Sequence, residues 1–331
     1  MGEDTSILTK ETESWNGSHL ISVTQVAPCG LTLLHEVACS MRDLVRSTGG
    51  DDRLKHRILA TVFYEASTRT SCSFQAAMKR LGGEVIHVDA GKSGNSSAGK
   101  KGETLTDTIN CLECYADVTV LRHPVVGSVK EAASKAVKPV INAGDGIGEH
   151  PTQALLDLFT IWDELGVDRC KNETITIVLL GDLKHGRTVH SLAKLLARSG
   201  MKNVVLKMCS PASLTMPDYV KEYLQKYENI VIVETFDLKE AIDGSDVLYV
   251  TRVQKERFES EEAYNAVKGA YIVDKELMET APGGMVVMHP LPRVGEISEE
   301  IDSDPRAAYF RQMENGMFVR MAILALVLGK P

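Results

Sequence analysis

Aromatic residues are scarce in this 331-residue chain, where two Trp, seven Phe and nine Tyr make up 5%. Positive charge is not in excess either: 37 Lys and Arg against 45 Asp and Glu leave a formal net charge of −8. That balance speaks against a nucleic-acid partner, which usually meets a basic face. It leaves room for a local basic pocket that takes small anions. No apolar run reaches the length of about 18 residues that a membrane span needs; the longest is Met321–Leu328. The N-terminal stretch MGEDTSILTKETESWNGS is polar and acidic and lacks a signal-peptide core, so it reads as a disordered tail or linker. Cysteines number seven, odd and irregularly spaced. A disulfide framework is therefore not expected, and a reducing, cytoplasmic setting fits. Cys111 and Cys114 form a C-x-x-C with no second pair nearby to complete a zinc site, so they read as two small core residues on one helix face.

What the chain does have is rhythm. Short apolar runs rich in Val and Ile alternate with longer amphipathic ones. The runs predict strands at Ile58–Tyr64, Val85–Val88, Val118–Leu121 and Val140–Asn142, then at Ile175–Leu180, Val204–Met208, Ile230–Val233, Val247–Val250, Tyr271–Val273 and Met285–Val287. Helices are expected at Thr70–Leu81, Gly102–Tyr115, Thr152–Leu165, Arg187–Arg198 and Met216–Lys226. A last helix is expected over Asp304–Leu328, with a break near Asn315-Gly316. Unbroken apolar strands alternating with helices mean parallel sheets covered by helices. The length suits two domains. The fold class is therefore α/β, as two doubly wound domains with parallel sheets linked by bridging helices. A hinge near His150-Pro151 gives a polar tail over 1–20, one domain over 21–150 with 315–331, and a second over 151–314.

In open parallel sheets, ligands bind beyond the carboxyl ends of the strands. Polar clusters stand at those ends: Ser67-Thr68-Arg69-Thr70 after the first strand, Arg122-His123-Pro124 after the third, and AGDGIGEHPTQ with His150 and Gln153 after the fourth. Further on come GDLKHGRT with Arg187, TRVQ with Arg252 and Gln254, and MHPLPR from Met288 to Arg293. Each has a plain reading. Ser67 or Thr68 suits a helix N-cap, Arg122 a surface ion pair, and His150-Pro151 a helix entry with Pro at its first position. Arg187 suits an exposed first-turn arginine, although a cation there is mildly unfavourable. Together, basic and hydroxyl residues at the same edge of successive strands point to an anion. Hydroxyls and a guanidinium fork at a helix N-terminus make a phosphate seat. The Gly-, Ser- and Lys-rich segment Asp89–Glu103 reads either as a floppy surface loop or as one that closes over an anion with Lys100 and Lys101. Gly144, Gly146 and Gly148 lack dinucleotide-loop spacing. Gly181-x-x-x-x-Gly186-Arg187-Thr188 misses a P-loop by carrying Arg in place of Lys.

The motifs STRT, HPTQALLDLFT, GDLKHGRTVHSL, TRVQKERF and HPLPR, in that order, resemble the aspartate transcarbamoylase family from about Leu20 to the C-terminus. GEHPTQALLD and DSDPRAAYFRQ look most like the eukaryotic form, often part of a large multifunctional polypeptide of pyrimidine synthesis. The resemblance implies transfer of a carbamoyl group from carbamoyl phosphate to L-aspartate, with no cofactor and no metal. By position it gives Ser67, Thr68, Arg69 and Thr70 the phosphate. Arg122, His150 and Thr70 then donate to the carbamoyl oxygen, and Gln153 holds the carbamoyl nitrogen. Arg187, Arg252 and Gln254 hold the aspartate carboxylates. The Leu291 and Pro292 carbonyls contact the carbamoyl NH₂ or the attacking amine, with a cis bond before Pro292. Ser97 and Lys101 match a loop that reaches a neighbouring subunit's site, which implies a homotrimer with shared sites.

The nearest rival is ornithine transcarbamoylase, which shares the phosphate half. It would carry a cysteine within the motif that here reads His289-Pro290-Leu291-Pro292, and an SMG loop. Neither is present. A catalytically dead scaffold of the same fold is disfavoured by the intact arginines and Lys101. A P-loop NTPase is disfavoured by the missing Lys.

Overall fold

A short apolar strand followed by a helix cannot return as a hairpin, so successive strands must pair in parallel across helical crossovers. The structure is a computed structural model that describes residues 12, 14–91 and 101–331. Every pair of named strands in it is parallel. The chain divides into two units, one of Met1–Leu156 with Glu314–Pro331 and the other of Asp157–Met313.

The first unit holds β1 (Ile58–Phe63), β2 (Glu84–Asp89), β3 (Val118–His123) and β4 (Val140–Asp145) in the order β2-β1-β3-β4. Its helices include α1 (Pro28–Thr48), α2 (Thr68–Arg80), α3 (Leu105–Glu113), α4 (Ser128–Ala133) and the start of α5 (Pro151–Leu165). The chain winds outward from β1 to β2 and then returns to the other side of β1 as β3. The switch point therefore lies between β1 and β3, where ligand sites form in such sheets. Ala60, Val62, Leu121 and Val140 join Ile109, Leu112 and Val129 in one core. Edge strand β2 is half exposed, whereas β4, also an edge, is buried along its length. Leu20 explains the difference. Its N–H donates to the Val140 carbonyl at 3.0 Å and its carbonyl accepts the Asn142 N–H at 2.8 Å, which covers the edge.

The second unit holds β5 (Thr174–Leu180), β6 (Asn203–Cys209), β7 (Ile230–Thr235), β8 (Val247–Val250) and β9 (Val286–Met288), ordered β7-β6-β5-β8-β9. With them go α6 (Val167–Asn172), α7 (Arg187–Arg198), α8 (Asp218–Leu224), α9 (Leu238–Ile242), α10 (Glu261–Asn265), α11 (Lys275–Thr280) and the start of α12 (Tyr309–Val327). Its switch point lies between β5 and β8. Val178, Leu180, Leu248, Val250 and Val287 form the core with Ile242, Met278 and Tyr309.

Several expectations need correction. Tyr271–Val273 is not a strand, because Val273 makes only an isolated bridge to Ile297. The last helix begins at Tyr309, not Asp304, because the backbone at 306–308 is spent on β9: Val287 N–H donates to the Arg306 carbonyl and Ala308 N–H to that of Val287, both at 2.8 Å. Nor is α12 broken at Asn315-Gly316. A Cβ on Gly316 would lie 3.1 Å from Leu156 Cδ2, so this glycine serves close packing on α5 rather than a break. Helix α1 fills a stretch where no element is expected from the strand-helix alternation, burying Leu31, Leu34, Ala38 and Met41 at helical spacing. The polar stretch before Leu20 is anchored rather than free. Trp15 is buried and Gly17 N–H donates to the Val327 carbonyl at 2.9 Å. Cys111 and Cys114 are exposed, not core residues, and all seven thiols are free.

Candidate active site

In the first unit the chain leaves β1 and enters α2 through Ser67. Thr68, Arg69 and Thr70 are the first turn of the helix itself, two residues earlier than the sequence pattern indicates. Ser67 occupies the cap position with φ −156° and ψ 88°, yet its side chain makes no capping hydrogen bond. The hydroxyl that would satisfy the first-turn amides is not used for it. Arg69 is exposed in that turn, a cation at the positive end of a helix dipole. An uncapped turn with a guanidinium added to it is suited to an anion and poorly suited to solvent alone.

Thr70 is buried, and its Oγ1 lies 3.4 Å from Nε2 of His150, itself 4% exposed. Arg122 lies inside β3 rather than after it, because that strand runs on to His123. Its Nη1 donates to the Ala143 carbonyl at 3.0 Å and its Nη2 lies 3.4 Å from Glu65 Oε2. Gln153 is buried in the first turn of α5. Lys101 is exposed, and Ser97 lies outside the described residues.

The loops of this half are held by one carboxylate. Asp145 Oδ2 accepts the Gly127 N–H at 3.0 Å and Oδ1 the Glu149 N–H at 2.7 Å. A Cβ on Gly146 would lie 2.4 Å from the Pro124 carbonyl oxygen. The glycines of this loop therefore allow it to pack on the loop after β3, and no dinucleotide is needed to explain them. Next to Arg122, burial pushes the His123 imidazole below its ordinary value, against the Val125 N–H bond and the charges of Glu65 and Asp145.

In the second unit Arg187 is the first residue of α7. The loop before it turns on Asp182, a fully buried carboxylate. Asp182 accepts the main-chain N–H of His185 at 3.0 Å, its Nδ1 at 3.1 Å, and the main-chain N–H of Gln254 at 3.3 Å. Gln254 Nε2 donates back to the His185 carbonyl at 3.0 Å. The loops after β5 and β8, which carry Arg187 and the pair Arg252 and Gln254, are thus tied together at the switch point. Gly181 has φ 111°, and a Cβ there would lie 2.2 Å from the Thr251 carbonyl oxygen. That near miss for a P-loop glycine is a close approach of two backbones. On the far side of the loop His190 Nε2–H donates to the Leu183 carbonyl at 2.7 Å, and Nδ1 accepts from Tyr219 Oη at 3.2 Å.

Leu291–Pro292 is a cis bond, as the resemblance implies, and Leu291 has φ 53°. A left-handed conformation costs an L-residue about 1–2 kcal/mol, so its surroundings must hold it. Arg293 beside it pairs with Asp302, lies over the Tyr309 ring and raises no doubt about its charge. Sequence reasoning missed Asp145, Asp182 and His190. The signal for Asp182 was a lone acid one glycine beyond the apolar run of β5, where burial leaves it no choice but to accept hydrogen bonds. Among the described residues, no group of three or more His, Cys, Asp and Glu is placed to hold a metal.

Comparison with known proteins matches both units. Residues 18–163 match the family model described as aspartate/ornithine carbamoyltransferase, carbamoyl-P binding domain, and residues 173–327 match the model for the Asp/Orn binding domain. The chain is 54% identical over 314 residues to multifunctional protein pyr1-3 of Dictyostelium discoideum, covering 95% of this chain but 14% of that protein. It thus spans only a small part of such multifunctional relatives. It is 48% identical to the aspartate carbamoyltransferase catalytic subunit of Thermococcus gammatolerans, covering 95% of this chain and 99% of that one. Among solved structures, aspartate transcarbamoylase from Trypanosoma cruzi in complex with carbamoyl phosphate and aspartate superposes with a TM-score of 0.88 at 45% identity, over 95% of this chain and 98% of the other.

Proposed function

This chain belongs to the aspartate/ornithine carbamoyltransferase family, and from that premise we propose that it is an aspartate carbamoyltransferase, converting carbamoyl phosphate and L-aspartate to N-carbamoyl-L-aspartate and phosphate in pyrimidine synthesis. The observation that carries this reading is the uncapped first turn of α2 with exposed Arg69 upon it and the buried Thr70–His150 pair behind it. Ser67, Thr68, Arg69 and Thr70 take the phosphate, with Ser97 and Lys101 of a neighbouring copy completing the seat in a homotrimer. Arg122, His150 and Thr70 donate to the carbamoyl oxygen, and Gln153 holds the carbamoyl nitrogen. In the second unit Arg187, Arg252 and Gln254 take the two carboxylates of aspartate, a planar fork for each being the natural match. The Leu291 and Pro292 carbonyls accept from the carbamoyl NH₂ or from the amine.

The aspartate amine attacks the carbamoyl carbon, forming the C–N bond and placing negative charge on the former carbonyl oxygen. Preorganised donors at that oxygen are the kind of contribution that usually dominates such catalysis. The C–O bond to phosphate then breaks, its electron pair leaves with the phosphate, and the proton lost by the amine goes to that phosphate. No protein base is required. His150 is buried as a donor to the oxyanion rather than exposed to exchange protons. Free thiols at all seven cysteines suit a reducing cytosol. One substrate is assigned to each unit, carbamoyl phosphate to the first and aspartate to the second.

The test is phosphate release from carbamoyl phosphate by the purified protein. Release is expected with L-aspartate and not with L-ornithine. No release with aspartate overturns the reading, and release with ornithine alone turns it to the other half of the family.

A further inference from the structure

The second unit contains a chain of buried polar groups that none of the roles above uses. Tyr249 Oη donates to Asp157 Oδ2 at 2.7 Å, and Gln312 Nε2 donates to Asp157 Oδ1 at 2.7 Å. Gln312 Oε1 accepts the main-chain N–H of His289 at 2.9 Å. His289 Nδ1 accepts the Leu291 N–H at 2.7 Å, and its Nε2 lies 2.7 Å from Glu296 Oε1. Tyr249, Asp157 and Gln312 are fully buried, and His289 is 1% exposed. Buried polar groups are retained only when matched, and these are matched in a line that ends at Leu291.

The ring of His289 is read directly from its partners. A nitrogen that accepts from a main-chain N–H carries no proton, so Nδ1 is bare and the ring is neutral. Its proton sits on Nε2 and is donated to Glu296. Glu296 Oε2 also accepts the Val294 N–H at 3.0 Å. One imidazole thus grips the 289–296 turn at both ends. Leu291 needs that grip, since its φ of 53° lies where a leucine does not settle by itself.

We propose that His289 is a positioning residue for the Leu291 and Pro292 carbonyls, its neutral ring holding the Leu291 amide while Gln312 and Asp157 anchor it from behind. This rests on the carbonyl role assigned under the proposed function. Only a neutral imidazole offers one acceptor and one donor on opposite edges of a rigid ring, which explains a histidine in this core position.

The test compares wild type with His289→Phe, which keeps the bulk, and His289→Asn, whose side-chain oxygen can take the Leu291 N–H. His289→Phe should lose about 100-fold in kcat, the cost of a loosely placed reacting group. Its dissociation constant for carbamoyl phosphate alone, measured by calorimetry, should rise far less than kcat falls, because the phosphate itself is assigned to Ser67, Thr68, Arg69 and Thr70 of the other unit. His289→Asn should recover about tenfold of the loss in kcat. A Phe variant within about threefold of wild type, or an Asn variant no better than Phe, overturns the proposal. Ring ¹⁵N shifts of the wild-type protein give a readout independent of whether the variants fold: the Nε2–H neutral tautomer at neutral pH is expected, and an Nδ1–H ring or an imidazolium overturns it. A wild type that releases no phosphate with aspartate sinks the functional reading, whereas an active wild type with an equally active Phe variant sinks this inference alone.

Discussion

At the scale of single residues, charge in the wrong place was the most legible signal. Arg69 stands in the first turn of a helix, where the dipole mildly disfavours a cation, so an anion is the economical explanation. Being exposed, it holds no core together. Arg69→Ala should therefore keep its circular dichroism and unfolding midpoint while kcat falls by about 10²–10³, the cost of removing one preorganised donor; turnover near wild type would remove the phosphate seat. Buried acids were harder to read, because a sequence shows that Asp145 and Asp182 are acidic but not that they face inward onto loop amides. Histidines carry a pH consequence. Burial pushes the His190 imidazole below its ordinary value, against its bond to the Leu183 carbonyl, and burial pushes His19 and His123 the same way. The unfolded chain is then the better base. Their contribution to stability is complete above the unfolded pKa of about 6.5 and is lost as pH falls through it toward the folded values. The unfolding midpoint should drop on acidification from about pH 7.5 to about 5.5, less steeply in His190→Gln. Equal steepness in calorimetric scans of the two proteins would contradict this.

At the scale of elements, the strands were read well because unbroken Val- and Ile-rich runs have few alternatives inside a parallel sheet. Boundaries were lost where tertiary pairing decides them. Arg306–Ala308 look helical until β9 takes their backbone, and Gly316 looks like a break until Leu156 needs the space. Tyr271–Val273 has strand composition but finds only one bridge. Caps separate structure from function here. Asp274 caps α11 by accepting the Leu277 N–H, whereas Ser67 at the head of α2 caps nothing. Asp274→Ala should cost about 1 kcal/mol of stability, and Ser67→Ala in phosphate-free buffer well under about half of that. With phosphate present the Ser67 variant should gain less stability than wild type. Denaturant titrations with and without phosphate measure all three; a large loss for Ser67→Ala without phosphate would make it an ordinary cap.

At the scale of the whole molecule, strand order fixes where ligands go. Part of each candidate set stands beside the strands where the winding reverses, Ser67–Thr70 and Arg122 by β1 and β3, and Arg187, Arg252 and Gln254 by β5 and β8, while His150 and Gln153 follow β4 and Leu291 and Pro292 follow β9; strand-end reasoning selects all of these because a parallel sheet has only one carboxyl edge. The expectation of a shared site rests on resemblance alone, since no periodicity in Asp89–Glu103 encodes a neighbour. If Lys101 serves the site of another copy, two inactive variants should complement each other. Lys101→Ala mixed with Arg252→Ala, after verified subunit exchange, should regain a measurable fraction of wild-type activity, because some mixed sites draw both intact residues. No recovery would confine each site to one chain.

The bare head of α2 has a thermodynamic consequence as well. A ligand that binds the folded chain alone adds about 2.7 kcal/mol of stability at a hundred times its dissociation constant. Ser67 leaves the first-turn amides uncapped, so if phosphate takes them as proposed, the melting temperature becomes a gauge of free phosphate and carbamoyl phosphate. On that proposal the protein should be easiest to unfold, and easiest to cut with protease, when neither phosphate nor carbamoyl phosphate is present.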